Sequence, residues 1–137
     1  MEQKYIDLVE AAFDSLNYSY TPYSKFKVGA ALLSKEQKVY QGCNIESASY
    51  TPTNCAERTA FFKAVSEGVK EFEAIAIVGG SEGVCKDLCP PCGVCRQVMM
   101  EFCDYKTFKI ILANEKREYK VYTLEELLPL GFGPSNL

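Results

Sequence analysis

Three cysteines and one glutamate, in two short stretches far apart in the chain, have the residue types of a catalytic metal site. Cys55 and Glu57 lie in the first stretch, and Cys92 and Cys95 lie in the second. Three thiolates can bind zinc and leave its fourth tetrahedral position open, which is the mark of a catalytic rather than a structural site. A glutamate beside that position could carry protons to and from a water molecule. The spacing therefore predicts hydrolytic chemistry at a thiolate zinc centre.

The chain contains no histidine, and this absence narrows the possible chemistry. Ser-His and Cys-His nucleophilic mechanisms are excluded, as is every metal centre with imidazole ligands. A metal must therefore bind to thiolates or carboxylates. A general acid or base near neutral pH must be a tuned carboxyl, amine, phenol or thiol group.

Both cysteine stretches are predicted to begin helices. The N-terminus of a helix carries partial positive charge, which lowers the pKa of a thiol there and favours the thiolate. Cys92 and Cys95 are three residues apart and so share one helix face. Arg58 lies three residues after Cys55, and we expect it to donate N–H groups to the thiolates and to offset their charge.

The residues alone leave other interpretations open. Glu57 could belong to a capping box with Asn54 at the start of the helix. The Cys-x-x-Cys pair could be a redox motif at a helix start. A closed structural zinc site could instead use four thiolates, those of Cys85, Cys89, Cys92 and Cys95.

Composition and charge are typical of one globular domain with small-molecule or protein partners. A length of 137 residues with 47% hydrophobic residues fits a single domain, residues 1–137. A net charge of −3 argues against binding to nucleic acid or to an anionic membrane. The first residues resemble no signal peptide, and no apolar run is long enough to span a membrane. Seven cysteines, an odd number, favour reduced thiols, so we expect a cytoplasmic protein.

The hydrophobic pattern predicts the elements that must position the cysteine stretches. Helices are predicted over residues 4–16, 54–67, 92–102 and 123–128, and the last of these is predicted to begin with a Thr123 cap and Glu126. Strands are predicted over residues 26–33, 38–45, 72–78, 109–113 and 118–122. This order of elements predicts an α/β fold, a single three-layer α/β/α domain with a five-stranded mixed sheet.

The two cysteine stretches resemble the cytidine deaminases, specifically the short homotetrameric form. The established signature of zinc deaminases is a ligand-x-Glu stretch followed by Pro-Cys-x-x-Cys. Here these read Cys55-Ala56-Glu57 and Pro91-Cys92-Gly93-Val94-Cys95, with cysteine where many relatives carry histidine. Other segments that resemble the family are residues 20–32, 42–46, 55–60, 92–97 and 127–134. The resemblance thus covers nearly the whole chain.

The resemblance implies hydrolysis of cytidine or 2′-deoxycytidine to uridine or 2′-deoxyuridine plus ammonia, in pyrimidine salvage. One zinc ion per chain would bind to Cys55, Cys92 and Cys95. Water would attack C4 of the pyrimidine, while Glu57 would protonate N3 and later the leaving amine. Related enzymes with the same fold and metal could act on nucleoside antibiotics or modified pyrimidines instead.

The resemblance also implies how a nucleoside is bound. Asn44 and Glu46 match the pair that binds the ribose hydroxyls in this family. Phe26 matches an aromatic residue that packs on the nucleoside. Backbone groups near Ala56, at the helix start, would bind the base.

Two further aromatic residues match family positions that involve a second subunit. Phe132 matches a residue that reaches a neighbouring subunit's site, and Tyr50 matches an interface element near that site. The resemblance therefore implies a homotetramer with active sites at the subunit interfaces. Cys85 and Cys89 depart from the family pattern, and no catalytic role is expected for either.

Overall fold

The computed structural model describes all 137 residues, which form four α-helices and a five-stranded sheet. The helices are α1 (Gln3–Ser15), α2 (Ala56–Ser66), α3 (Gly93–Phe102) and α4 (Leu124–Leu127). The strands are β1 (Phe26–Ser34), β2 (Val39–Cys43), β3 (Phe72–Ser81), β4 (Lys109–Ala113) and β5 (Tyr119–Thr123). None of the helices combines the length and the apolar character needed to cross a membrane.

The sheet is mixed, as predicted, with the strand order β2-β1-β3-β4-β5. The strands β3 and β4 are parallel, and the three other neighbouring pairs are antiparallel. A parallel pair needs a crossover connection, and here the chain between β3 and β4 forms α3. A loop, residues 82–92, joins the end of the central strand to the start of α3.

The two faces of the sheet carry separate hydrophobic cores. Successive residues of a strand point to opposite faces, so Ala31 and Leu33 of β1 pack in the core under α1. Their neighbours Ala30 and Leu32 pack in the larger core under α2, which also includes Met99 of α3. Helices thus cover both faces, and the predicted three-layer α/β/α architecture is confirmed.

The strand β3 continues beyond Val78, where the sequence pattern predicted its end. A Cβ atom at Gly79 would lie 2.8 Å from the sulfur of Cys89, and one at Gly80 would lie 2.0 Å from the carbonyl oxygen of Val84. The two glycines therefore allow the following loop to return across the strand. The predicted boundary was wrong because glycine here serves close packing rather than termination.

Candidate active site

The start of α2 forms the first half of the candidate site. Cys55 is the N-cap residue in extended backbone, and Ala56 is the first helical residue, two residues later than predicted. No side chain caps this helix. Asn54 instead donates from Nδ2 to Oγ1 of Thr59 at 3.2 Å. The interpretation of Glu57 as part of a capping box with Asn54 is therefore wrong.

The strand β2 packs tightly against this helix start. A Cβ atom at Gly42 would lie 2.3 Å from the carbonyl oxygen of Ala56, so only glycine allows this approach. The strand ends at Cys43, earlier than predicted. Beyond it, Ile45 and Asn54 exchange two backbone hydrogen bonds of 3.0 and 2.9 Å. These contacts place the residues that follow β2 beside the start of α2.

The start of α3 forms the second half of the site. Cys92 is its N-cap residue, and Cys95 lies buried in its first turn. Arg96 holds this end in place because its Nε donates to the Pro91 carbonyl at 2.8 Å and its Nη1 to the Leu127 carbonyl at 2.5 Å. These two hydrogen bonds fix the start of α3, which carries two of the three thiols, to the preceding loop and to the end of α4.

The two helix starts bring three thiols together. The sulfur of Cys92 lies 3.7 Å from that of Cys55 and 3.4 Å from that of Cys95, and all three lie within 4.8 Å of one another. Neither Cys85 nor Cys89 belongs to this group, and no disulfide is present. The geometry therefore excludes the alternative of a four-thiolate site built on Cys85 and Cys89. A redox pair of Cys92 and Cys95 would not account for the third thiol.

The spacing of the sulfurs fits a zinc ion. Thiolates arranged tetrahedrally at the usual Zn–S distance of ~2.3 Å have sulfurs roughly 3.8 Å apart, close to the two separations just given. The charges also fit a cation, because the Cys55 thiolate and burial together raise the pKa of Cys95. A dication between them would remove this repulsion between thiolates. Three protein ligands also leave a fourth position open for a water or substrate.

Arg58 contacts the thiol group as the sequence predicted. Its Nη2 donates to the sulfur of Cys55 at 3.3 Å. Hydrogen bonds from Cys95 and then from Arg58 lower the pKa of Cys55 to about 5, so Cys55 is a thiolate near neutral pH. The Nε of Arg58 is buried without a hydrogen-bond partner. The positively charged guanidinium of Arg58 therefore lies against the thiol group, where it contacts the sulfur of Cys55.

Glu57 is the most deeply buried carboxylate of the chain, with 4% of its surface exposed. Burial, with a smaller contribution from the charge of the neighbouring Cys55 thiolate, raises the pKa of Glu57 to about 7. Its oxygens are not part of the group of candidate metal ligands. A carboxyl group with a pKa near neutrality can both accept and donate a proton, which suits a general acid and base.

A hollow of about 400 Å³ lies at the loop end of β2. Its lining residues are Tyr23, Ser24, Glu46, Tyr50 and Thr53. Glu46 Oε1 accepts from the backbone N–H groups of Tyr23 and Ser24, both at 3.1 Å, and Oε2 accepts from the Ser24 hydroxyl. These donors, the hydroxyl above all, lower the pKa of Glu46 and keep it ionised.

Asn44 joins this region to the start of β1. Its Oδ1 accepts from the backbone N–H of Val28 at 2.9 Å, and its Nδ2 donates to the carbonyl of Phe26 at 2.8 Å. The amide is thus fixed in orientation, with one N–H of Nδ2 left over. The ring of Phe26 is 42% exposed, so a large apolar surface is available beside this amide.

Two predicted aromatic residues do not contact the thiol group within this chain. Tyr50 is 73% exposed and packs edge-on against Tyr23, with ring centroids 6.3 Å apart. Phe132 is 60% exposed, and its carbonyl accepts from Nε2 of Gln97 at 2.7 Å. Both side chains are therefore largely exposed to solvent in the single chain.

Sequence reasoning missed several residues of this region. Tyr23, Ser24 and Thr53 line the hollow, and Gln97 holds the tail. Tyr23 and Ser24 lie inside segment 20–32, and Gln97 lies inside segment 92–97, both of which resemble the family. The family resemblance therefore covered these residues. It did not single them out, because a hydrogen bond to a residue far along the chain produces no local sequence pattern.

Comparisons with known proteins identify the family of this chain. Residues 2–111 match the family model of the cytidine and deoxycytidylate deaminase zinc-binding region. The chain is 50% identical to the cytidine deaminase of Sporosarcina psychrophila over 119 residues, which cover 87% of this chain and 84% of that protein. It is also 50% identical to the cytidine deaminase of Halalkalibacterium halodurans over 125 residues, or 91% of each protein.

The fold matches a solved structure closely. The 1.6 Å crystal structure of cytidine deaminase from Burkholderia pseudomallei superposes with a TM-score of 0.86 at 43% identity, covering 96% of this chain and 100% of that one. The chain therefore belongs to the cytidine and deoxycytidylate deaminase family, and the resemblance predicted from the sequence is confirmed. With a zinc-binding family model and three converging thiols, the predicted cofactor, zinc, is confirmed as well.

Proposed function

We propose that this protein hydrolyses cytidine and 2′-deoxycytidine to uridine and 2′-deoxyuridine, releasing ammonia. The observation that carries the proposal is the convergence of three thiols beside one buried carboxyl group at two helix starts. This arrangement has an open metal position and a proton carrier, the two requirements of metal-assisted hydrolysis. The whole chain, residues 1–137, forms the catalytic domain.

The thiolates of Cys55, Cys92 and Cys95 hold the zinc ion. When bound, zinc supplies Lewis acidity, which lowers the pKa of a coordinated water toward neutrality. Three thiolates would leave the centre with excess negative charge and weaken this effect. Arg58 offsets that charge through its hydrogen bond to Cys55.

Glu57 moves the protons of the reaction. It accepts a proton from the attacking water and donates it to N3 of the pyrimidine. It then accepts the second proton of that water, now part of the hydroxyl group at C4, and donates it to the departing amine. Its burial keeps the pKa near 7, so neither transfer is strongly uphill. Exclusion of solvent from this carboxyl group also limits proton exchange with bulk water during the reaction.

Asn44 and Glu46 bind a ribose hydroxyl, the 3′-hydroxyl that cytidine and 2′-deoxycytidine share. The spare N–H of the Asn44 amide can donate to the hydroxyl oxygen, and the ionised Glu46 can accept the hydroxyl proton. Phe26 packs on the nucleoside, and backbone groups at Ala56 bind the base. An intact ribose is therefore part of what the site selects.

The active protein is a homotetramer in which each site is completed by neighbours. Phe132, exposed in the single chain, reaches the nucleoside site of a neighbouring subunit, and the exposed Tyr50 belongs to the interface near that site. Burial of these rings against a second copy would remove a considerable exposed apolar area from water. We further propose that the protein acts in the cytoplasm, in pyrimidine salvage.

A cytidine absorbance assay with zinc measured per chain tests this function. We expect turnover of cytidine and 2′-deoxycytidine, loss of turnover with a zinc chelator, and recovery when zinc is restored. A non-enzymatic zinc module would bind zinc without turning over any nucleoside. A panel that adds free cytosine and blasticidin separates a nucleoside deaminase from a deaminase of antibiotics or modified pyrimidines.

A further inference from the structure

The turn before β1 contacts Glu46 through one short segment. Both backbone N–H groups of Tyr23 and Ser24 donate to Oε1 of Glu46, and the Ser24 hydroxyl donates to Oε2. A carboxylate offers about four acceptor positions. Three are occupied by this turn, so a single position remains, and it belongs to the oxygen that Ser24 contacts.

The Ser24 hydroxyl also accepts a hydrogen bond from the backbone N–H of Phe26 at 3.0 Å. Because that N–H already points at the hydroxyl oxygen, the hydroxyl proton is directed away from it and toward Glu46. One side chain therefore links the carboxylate to the backbone of the aromatic residue that borders the same region. No other side chain donates a hydrogen bond to Glu46.

The turn that carries Ser24 is itself held in place. The backbone N–H of Lys25 donates to the Thr21 carbonyl at 3.1 Å, and the Lys25 carbonyl accepts from Glu82 N–H at 2.7 Å. Lys25 adopts a φ of 61°, a left-handed conformation that a lysine keeps only where surrounding contacts enforce it. The turn therefore has backbone contacts that do not involve Glu46, and it presents three donors to that carboxylate.

We propose that Ser24 is a positioning residue for nucleoside binding, whose hydroxyl orients Glu46 and leaves it one acceptor position for one ribose hydroxyl. This inference rests on the ribose-binding role proposed for Glu46. Without the Ser24 hydroxyl, Oε2 has no protein partner, and the carboxylate is held only through Oε1. Binding of the ribose then carries the cost of ordering that carboxylate.

Kinetics with cytidine and 3′-deoxycytidine test the assignment. We expect Ser24→Ala to raise KM for cytidine roughly tenfold with kcat changed less than about twofold, because uniform binding is lost. The KM for 3′-deoxycytidine, which lacks the hydroxyl, should change by less than about twofold. Ser24→Thr keeps the hydroxyl and should restore binding of cytidine. Ser19→Ala, which removes a hydroxyl from the same loop without touching Glu46, should resemble the wild type.

A merely structural role would affect both substrates equally, and that result, or unchanged kinetics in Ser24→Ala, overturns the proposal. Glu46→Gln separates the two assignments. If it removes the preference for the 3′-hydroxyl while Ser24→Ala does not, only the Ser24 role fails. If Glu46→Gln keeps that preference, both roles fail. Calorimetric Kd values for uridine and 3′-deoxyuridine give the same comparison without turnover. Failure of the Ser24 role would be seen in these Kd values, whereas failure of the proposed reaction would be seen only in turnover.

Discussion

Arg58 Nη2 lies 3.3 Å from the sulfur of Cys55, one helical turn away, while its Nε is buried with no partner. A buried N–H without an acceptor costs free energy, so the charge of the guanidinium near the thiolates must compensate for that cost. Arg58 therefore acts on the metal site, and its contribution can be measured.

Replacement of Arg58 should lower activity and shift its pH dependence. Without the guanidinium the three thiolates carry more uncompensated negative charge, which raises the pKa of any group that must lose a proton there. We expect Arg58→Ala to reduce kcat by roughly 10- to 100-fold and to move the acidic limb of the profile to higher pH. Arg117→Ala is the matched control, because Arg117 pairs with Glu10 on the surface. An unchanged rate and profile would refute charge compensation.

Glu57→Gln should abolish proton transfer while leaving the metal in place. Glutamine has nearly the same shape but cannot carry a proton, so kcat should fall by roughly 10²- to 10⁴-fold. Zinc per chain, measured on the same sample, should equal that of the wild type because Glu57 is outside the ligand group. Glu101→Gln on the exposed side of α3 controls for the loss of a helical carboxylate. Near-normal turnover with zinc bound would contradict the proposed role.

Zinc content should depend on Cys55 and not on Cys89. Removal of one of three thiolates leaves too few ligands, so Cys55→Ala should lose most of its metal. Cys89→Ala should retain about one zinc per chain, because its sulfur lies outside the converging group. The reverse pattern would favour a structural four-thiolate site. Metal analysis after dialysis against a weak chelator decides between them.

Phe132→Ala should weaken substrate binding without unfolding the chain. The ring is 60% exposed, so its removal opens no core cavity, and the melting temperature of the protomer fold should change little. If the ring completes a neighbour's site, KM for cytidine should rise about tenfold. Leu137→Ala, also highly exposed near the C-terminus, serves as control. Kinetics identical to the wild type would show that the C-terminal tail takes no part in the active site. Sedimentation of both variants would show whether assembly had changed.

Stability in acid should depend on Glu73. Burial opposes its ionisation, but hydrogen bonds from Lys4, Tyr5 and Gln37 outweigh this and lower its pKa to about 2. A lowered pKa stabilises the fold above the ordinary carboxyl pKa, and this contribution is lost as pH falls from about 5 toward 2. Glu73→Gln should cost about 2 kcal/mol at pH 7 and progressively less in acid. Chemical unfolding at several pH values, with the exposed Glu71→Gln as control, measures the difference.

The sequence pattern predicted most of the elements and one of their caps. The capping box between Thr123 and Glu126 at the start of α4 formed as expected, because it depends only on residues three apart. The similar pattern at Asn54 and Glu57 did not form a cap. Both patterns look alike locally, but α2 begins one residue later, with Cys55 as its N-cap, while Asn54 pairs with Ile45 and donates to Thr59.

The sequence by itself determined the chemistry available to this protein, since the absence of histidine and the grouping of Cys55, Cys92 and Cys95 with Glu57 are properties of residue type. Local patterns also determined which of these residues begin helices. Only the tertiary structure decided that sulfurs 37 residues apart lie 3.7 Å from each other. It alone joined Ser24 to Glu46, 22 residues away. Contacts of this kind depend on how helices and strands pack together, and no short segment of the chain encodes them.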